Sequence, residues 1–254
     1  MNITEIIQKK GYKIIEQIDN NKNFIIYILA DYYNNKYILK ASADNDTYSI
    51  ETLKNEILSL TRLKGYNFVP KIKDYNFDIK NNFIILEKID GYDLTKYINA
   101  NLTSKVIILL NLTNAIKEIN KVNIVHCDLK LTNVLIDING NIKVLDFGIA
   151  QIDDSNKFKK YGTINYCSPE KILNQDIDFH EDMYAIGIIL YKLLGGTMST
   201  ENKNAILLIK YPQKTIEDTL NFIIRKCTAN NIKLRYSSIE ELYRDLFELY
   251  NYIK

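Results

Sequence analysis

The sequence predicts an α+β chain in two lobes: a small antiparallel sheet lobe with one helix, then a larger, mainly α-helical lobe. Three observations predict it. Short runs rich in Ile and Tyr alternate with Asn/Asp clusters over the first 88 positions, the pattern of strands and turns. Beyond Ile89-Asp90-Gly91 the apolar residues fall at helical spacing instead. A chain of 254 residues that is 46% hydrophobic can bury a substantial core, in one domain or two small lobes. The expected organisation is a single domain, 1–254, with a first lobe over 1–88, a joint at 89–91 and a second lobe over 92–254.

In chain order, residues 12–18, 24–30 and 36–41 read as strands, separated by the turn formers at 19–23 and 31–35. Residues 50–64 read as a helix: Leu53, Ile57, Leu60 and Leu63 share one face, and Gly65 closes it. Two more strands are expected at 72–77 and 82–88. In the second lobe, helices are expected at 94–99, 103–122, 180–194, 215–228 and 238–252. Ser238 with Glu241 three residues on has the form of a capping box. One strand pair, 134–137 and 142–145, interrupts the helices, and Asn139-Gly140 between them signals a hairpin turn. A joint between lobes is a common place for a small ligand.

Charge is balanced, 33 Lys+Arg against 31 Asp+Glu, so nothing calls for nucleic acid or an anionic membrane as partner. Cys127, Cys167 and Cys227 are far apart and form no C-x-x-C pair, which argues against a zinc site and a disulfide framework. The first ten residues mix polar groups with isoleucines and lack the apolar core of a signal peptide. Residues 185–196 are interrupted by Lys192 and too short to span a bilayer. A cytoplasmic location with no obligate partner is the expectation.

The chemistry concentrates in His126-Cys127-Asp128-Leu129-Lys130-Leu131-Thr132-Asn133 and, after a short strand, Asp146-Phe147-Gly148. Asp128 offers a carboxylate to accept or orient a hydroxyl proton. Lys130 offers a compact positive charge. Asn133 and Asp146 offer the oxygen donors a hard cation prefers. Singly, each is an ordinary turn former or surface residue. Together they suit transfer of the terminal phosphoryl group of a metal-held nucleotide.

These residues resemble the eukaryotic-type (Hanks-type) serine/threonine protein kinase family, over about residues 12–249. Further along, Gly162-Thr163-Ile164-Asn165-Tyr166-Cys167-Ser168-Pro169-Glu170 resembles the end of that family's activation segment. Asp182-Met183-Tyr184-Ala185-Ile186-Gly187 resembles its central buried helix, and Arg235 its partner for Glu170. Upstream, Tyr37-Ile38-Leu39-Lys40 resembles the strand with the nucleotide-phosphate lysine, and Glu56 its helical partner. The resemblance implies a protein-kinase-like fold, ATP with Mg2+ (or Mn2+), and Ser/Thr hydroxyls of proteins as acceptors. It makes Asp128 and Lys130 catalytic, Asn133 and Asp146 metal ligands, and Lys40–Glu56 the phosphate-binding pair. Ile18, Ile26, Ile38 and Leu135 would enclose adenine, Glu87 and Ile89 would bind it through the backbone, and Asp93 would take the ribose. Phe147, Gly148, Thr163, Glu170, Asp182 and Arg235 would be structural or regulatory. Ser155, Tyr161 and Thr163 are candidate self-phosphorylation sites.

Three departures stand out. The family's phosphate-loop glycines fall on Asp19, Asn21 and Phe24, which predicts weaker nucleotide binding; the neighbouring asparagines tolerate left-handed backbone and would partly substitute. Ile38 stands where alanine is common and narrows the adenine slot. Cys127 replaces an arginine that pairs with an activation-segment phosphate, which predicts activity without that switch; a small buried residue is its expected role, a redox sensor the alternative. The glycine-free loop also supports a second reading, a nucleotide-binding or interaction module with weak or no catalysis. A third, a small-molecule phosphotransferase, accounts for the catalytic loop but not for Gly162 to Glu170, Asp182 and Arg235.

Overall fold

The computed structural model describes residues 3–44, 46–78, 81–153, 162–197 and 207–254. The chain divides into two compact units, Met1–Asp90 and Gly91–Lys254.

In the first unit, strands β1 (Lys13–Asn20), β2 (Phe24–Ala30), β3 (Lys36–Ser42), β4 (Ile72–Asn76) and β5 (Phe83–Glu87) form an antiparallel sheet in the order β1-β2-β3-β5-β4. Its register sorts the side chains. Ile26 opposes Lys40, Lys40 opposes Ile84, and Ile38 stands between Ile28 and Leu86, so these share one face. Leu29, Leu39, Ala41, Phe83 and Ile85 alternate with them and point the other way. Helix α1 (Ile3–Lys9) covers that second face, with Ile7 fully buried in its cluster. Sequence reading missed α1, although Ile3, Ile6 and Ile7 have the three-and-four spacing of an amphipathic turn. Helix α2 (Thr47–Arg62) follows β3, and Asp46 caps it by accepting from the Ser49 N–H.

Strand β1 runs two residues beyond its expected end, so the turn to β2 holds only residues 21–23. Its register with β2 breaks between Gln17 and Asp19, which places Ile18 on a bulge.

The second unit opens with β6 (Gly91–Asp93), which pairs with β8 (Val134–Asp137); β8 pairs in turn with β9 (Ile142–Val144). Gly91 is therefore part of a strand. A Cβ there would lie 2.2 Å from the Ile136 carbonyl oxygen, so close strand approach is what demands the glycine. The helix expected at 94–99 is a single 3-10 turn, Leu94–Tyr97, capped by Asp93. Helix α3 (Leu102–Lys121) packs on α5 (His180–Leu193) and α7 (Ile239–Ile253), and α6 (Lys214–Cys227) packs on both α5 and α7. Helix α5 is buried nearly all round. A Cβ on its Gly187 would come within 2.5 Å of the Cys227 Cβ, so the glycine sets how closely α5 and α6 approach.

A short pair, β7 (Ile124–Val125) with β10 (Gln151–Ile152), and helix α4 (Pro169–Ile172) were not expected. Both are too brief to produce a periodic signal. Ser238 caps α7 as expected, but Glu241 reaches back to the Ser237 N–H at 2.9 Å, one residue before the cap. No helix among the described residues is long and apolar enough to cross a membrane.

Candidate active site

Each unit holds its own group of the expected site residues. In the first, the Lys40 Nζ lies 2.9 Å from Glu56 Oε2, and both side chains are largely buried. The Lys40 ammonium also sits 4.8 Å over the ring of Phe24. Ile26 and Ile38 share the sheet face of Lys40, whereas Ile18 is about half exposed on its bulge. The Glu87 N–H donates to the Lys71 carbonyl at 2.9 Å.

The turn between β1 and β2 answers the question of the missing glycines. Asn21 Oδ1 accepts from the Asn23 N–H at 3.0 Å and the Phe24 N–H at 2.9 Å. Its Nδ2 donates to Asp19 Oδ2 at 2.9 Å. None of residues 19–24 has a positive φ. The asparagine thus does not imitate glycine through left-handed backbone. It occupies main-chain donors with its own carboxamide.

In the second unit Lys130, Asn133 and Thr163 converge on the Asp128 carboxylate. Oδ1 accepts from the Thr163 N–H at 2.7 Å and the Thr163 hydroxyl at 2.9 Å. Oδ2 accepts from Lys130 Nζ at 3.0 Å and Asn133 Nδ2 at 3.1 Å. Lys130 also donates to Thr163 Oγ1 at 3.1 Å. The Thr163 hydroxyl therefore gives one hydrogen bond and receives another, which makes it part of the support for Asp128. Ser155 and Tyr161 lie outside the described residues. Gly162 is needed at this junction, because a Cβ would come 2.6 Å from the Cys127 carbonyl and 2.9 Å from Asp128 Oδ1.

His126, whose part in the motif sequence reading left open, ties the loop to Asp146-Phe147-Gly148. The Asp128 N–H donates to its Nδ1 at 3.2 Å, so the ring proton sits on Nε2, which donates to the Leu145 carbonyl at 2.9 Å. The ring lies 4.6 Å from that of Phe147, which is fully buried. The Leu145 N–H donates to the Asn133 carbonyl at 2.8 Å. Leu145 is thereby fixed through both its N–H and its C=O, immediately before Asp146, whose backbone is left-handed at φ 64. Aspartate enters that region more readily than most residues with a Cβ.

The fully buried Asp182 accepts from the His126 N–H at 2.8 Å and the Cys127 N–H at 3.0 Å. Arg235 grips Glu170 with two parallel bonds of 2.6 and 2.7 Å. Cys127 is buried and its thiol is pushed up to about 12 by burial, which removes the thiolate a redox sensor needs. Asp93 and Leu135 oppose each other across β6 and β8. Asp93 Oδ1 accepts from the Thr95 N–H at 2.9 Å.

The donor set fits a divalent cation. Asn133 Nδ2 faces Asp128, also donating to its carbonyl at 2.9 Å, so Oδ1 turns away from Asp128. With the Asp146 carboxylate this gives two hard oxygen donors. Among the described residues, no three His, Cys, Asp or Glu side chains cluster as ligands.

The protein kinase domain profile matches residues 29–248. The chain belongs to the protein kinase family. This kinase chain is 29% identical to a probable serine/threonine-protein kinase, PknB, of Lactococcus lactis, over 92% of its own length and 41% of that protein. It is 30% identical to the serine/threonine-protein kinase PrkC of Bacillus subtilis, over 92% of its length and 40% of that protein. It is 28% identical to the dual specificity protein kinase Ttk of Danio rerio, over 96% of its length and 28% of that protein. The kinase chain thus spans about two-fifths of the length of these two bacterial relatives. Its family uses ATP and a divalent metal, with proteins as substrates.

Proposed function

We propose that this kinase chain transfers the γ-phosphoryl group of Mg-ATP to serine and threonine hydroxyls of proteins. The observation that carries the reading is the Asp128 carboxylate, oriented through both oxygens by Thr163, Lys130 and Asn133. Asp128 orients the acceptor hydroxyl and takes its proton as the hydroxyl oxygen bonds to phosphorus and the bridging P–O bond to ADP breaks. Lys130, about a quarter exposed, is the donor able to leave Asp128 Oδ2 and follow the migrating charge. Lys40, steadied by Glu56, takes the α- and β-phosphates. Asn133 Oδ1 and Asp146 hold the metal, which when bound neutralises charge on the phosphates. Ser/Thr acceptors are supported by Lys130, Thr163 and the names of the bacterial relatives.

The glycine-free turn supports a weak hold on the phosphates, not lost chemistry, because every residue named here for chemistry is retained. The test is phosphoryl transfer from labelled ATP with Mg2+ to a basic protein substrate. Asp128→Asn should lower the rate by about 10²–10⁴-fold. Equal transfer by wild type and variant sinks the proposal, as does the absence of any melting-temperature rise at millimolar Mg-ATP.

A further inference from the structure

Cys127 has a left-handed backbone, φ 67, one residue before Asp128. For cysteine, which lacks the short polar side chain that lets Asn and Asp visit that region, the conformation costs about 1–2 kcal/mol. Its N–H is held by Asp182 at 3.0 Å. Its carbonyl accepts from the Nζ of Lys171 in α4. Lys171 is 7% exposed, an unusual depth for a lysine, and its ammonium lies 3.5 Å from Glu181 Oε1 at the start of α5. Glu181 is buried as well, and its other oxygen accepts from the Ser168 N–H at 3.2 Å. The pair is therefore tied at one end to α4 and α5 and at the other to the main chain of the catalytic loop. The same Cys127 carbonyl faces Gly162, whose missing Cβ leaves room for it.

We infer that Lys171 is a positioning residue for catalysis: charged and oriented by Glu181, it clamps the Cys127 carbonyl and so fixes the direction in which Asp128 projects. The inference rests on the reading of Asp128 as proton acceptor. Lys171 touches neither reacting group; it acts through the loop. Residue Cys127 is then held at both ends, by the Asp182 carboxylate on its N–H and the Lys171 ammonium on its carbonyl. Both holders come with the chain and neither requires a covalent modification, in keeping with the loss of an arginine at position 127.

The test compares the wild-type kinase chain with Lys171→Met and with the double variant Lys171→Met/Glu181→Gln. Lys171→Met leaves Glu181 buried without its counter-charge and should melt lower. The double variant removes both charges and should recover most of the melting temperature. Its kcat should nevertheless stay about 10²-fold down, as expected for a displaced reacting group, with KM for Mg-ATP within about twofold of wild type. Without nucleotide, amide hydrogen exchange at Cys127, Asp128 and Thr163 should speed up by about tenfold or more in the double variant. A double variant with wild-type kcat, with unchanged protection, or with no recovery of stability would overturn the clamp. Should the wild-type chain transfer no phosphate, the functional reading fails by itself; the exchange experiment needs no turnover and still decides the clamp.

Discussion

Replacing Arg235 by methionine should unfold the second unit more readily, and the size of the effect follows from its partners. The guanidinium makes two bonds to Glu170, one of 2.9 Å to the Ala229 carbonyl and one of 3.2 Å to the His180 carbonyl. Methionine keeps much of the stem but none of these bonds, and it leaves the Glu170 carboxylate buried without a counter-charge. Breaking a buried pair in this way costs about 3–5 kcal/mol. For a chain of this size each kcal/mol lowers Tm by about 2–4 °C, so a fall of roughly 6–20 °C is expected. Denaturant unfolding followed by circular dichroism and tyrosine emission measures it; the chain has 19 tyrosines and no tryptophan. Adding Glu170→Gln removes the stranded charge and should restore about 2 kcal/mol or more. Burial raises the Glu170 pKa but its bonds to Arg235 outweigh that, leaving it below the ordinary 4.5. A carboxyl lowered on folding stabilises above its unfolded value and loses that contribution as pH falls through the folded one. The gap between wild type and double variant should therefore stay level above pH about 4.5 and narrow below it. An Arg235→Met cost under about 1 kcal/mol, or a double variant no more stable than the single, would refute the reasoning.

Asp182→Asn can accept from only one of the His126 and Cys127 amides; the other loses its partner, at about 1–3 kcal/mol. Thermal melting and exchange at those two amides measure this, and unchanged protection at both argues against Asp182 as the anchor. Gly162→Ala drives a Cβ against the Cys127 carbonyl and the Asp128 carboxylate, so kcat should drop by about 10²-fold while the KM for ATP barely moves. Steady-state kinetics separate the two, and a wild-type kcat contradicts the packing argument. Asn21→Gly frees the amides of Asn23 and Phe24 for phosphate oxygens, so the KM for Mg-ATP should fall by about 3- to 10-fold, close to one hydrogen bond's worth. An unchanged or higher KM means the asparagine is not a competitor.

The two-part architecture was legible because the hydrophobic period changes from strand to helix near residue 90, and because Asn, Asp and Gly punctuate the strands. The meeting of Lys130 and Asn133 with Asp128 was legible because the three stand close together in one short loop. What escaped was non-local. Lys171 looks like any surface lysine until folding sets it beside Glu181 and the Cys127 carbonyl. Asn21 was read for the backbone shapes it tolerates, whereas its side-chain oxygen turned out to matter. Gly91 was expected only as part of the joint at 89–91, and the position of the Ile136 carbonyl shows that steric room explains it. The 3-10 turn at Leu94–Tyr97 carries the same apolar spacing as a helix, and one turn is too short to tell them apart.

Helix α1 covers one face of the sheet in the smaller unit. A chain trimmed to begin at Tyr12 would leave Leu29, Leu39, Phe83 and Ile85 facing water as one sticky plane. Such a fragment should clump or recruit another copy to shield it, and a shortened preparation that lost activity would report damaged solubility before it reported anything about phosphate chemistry.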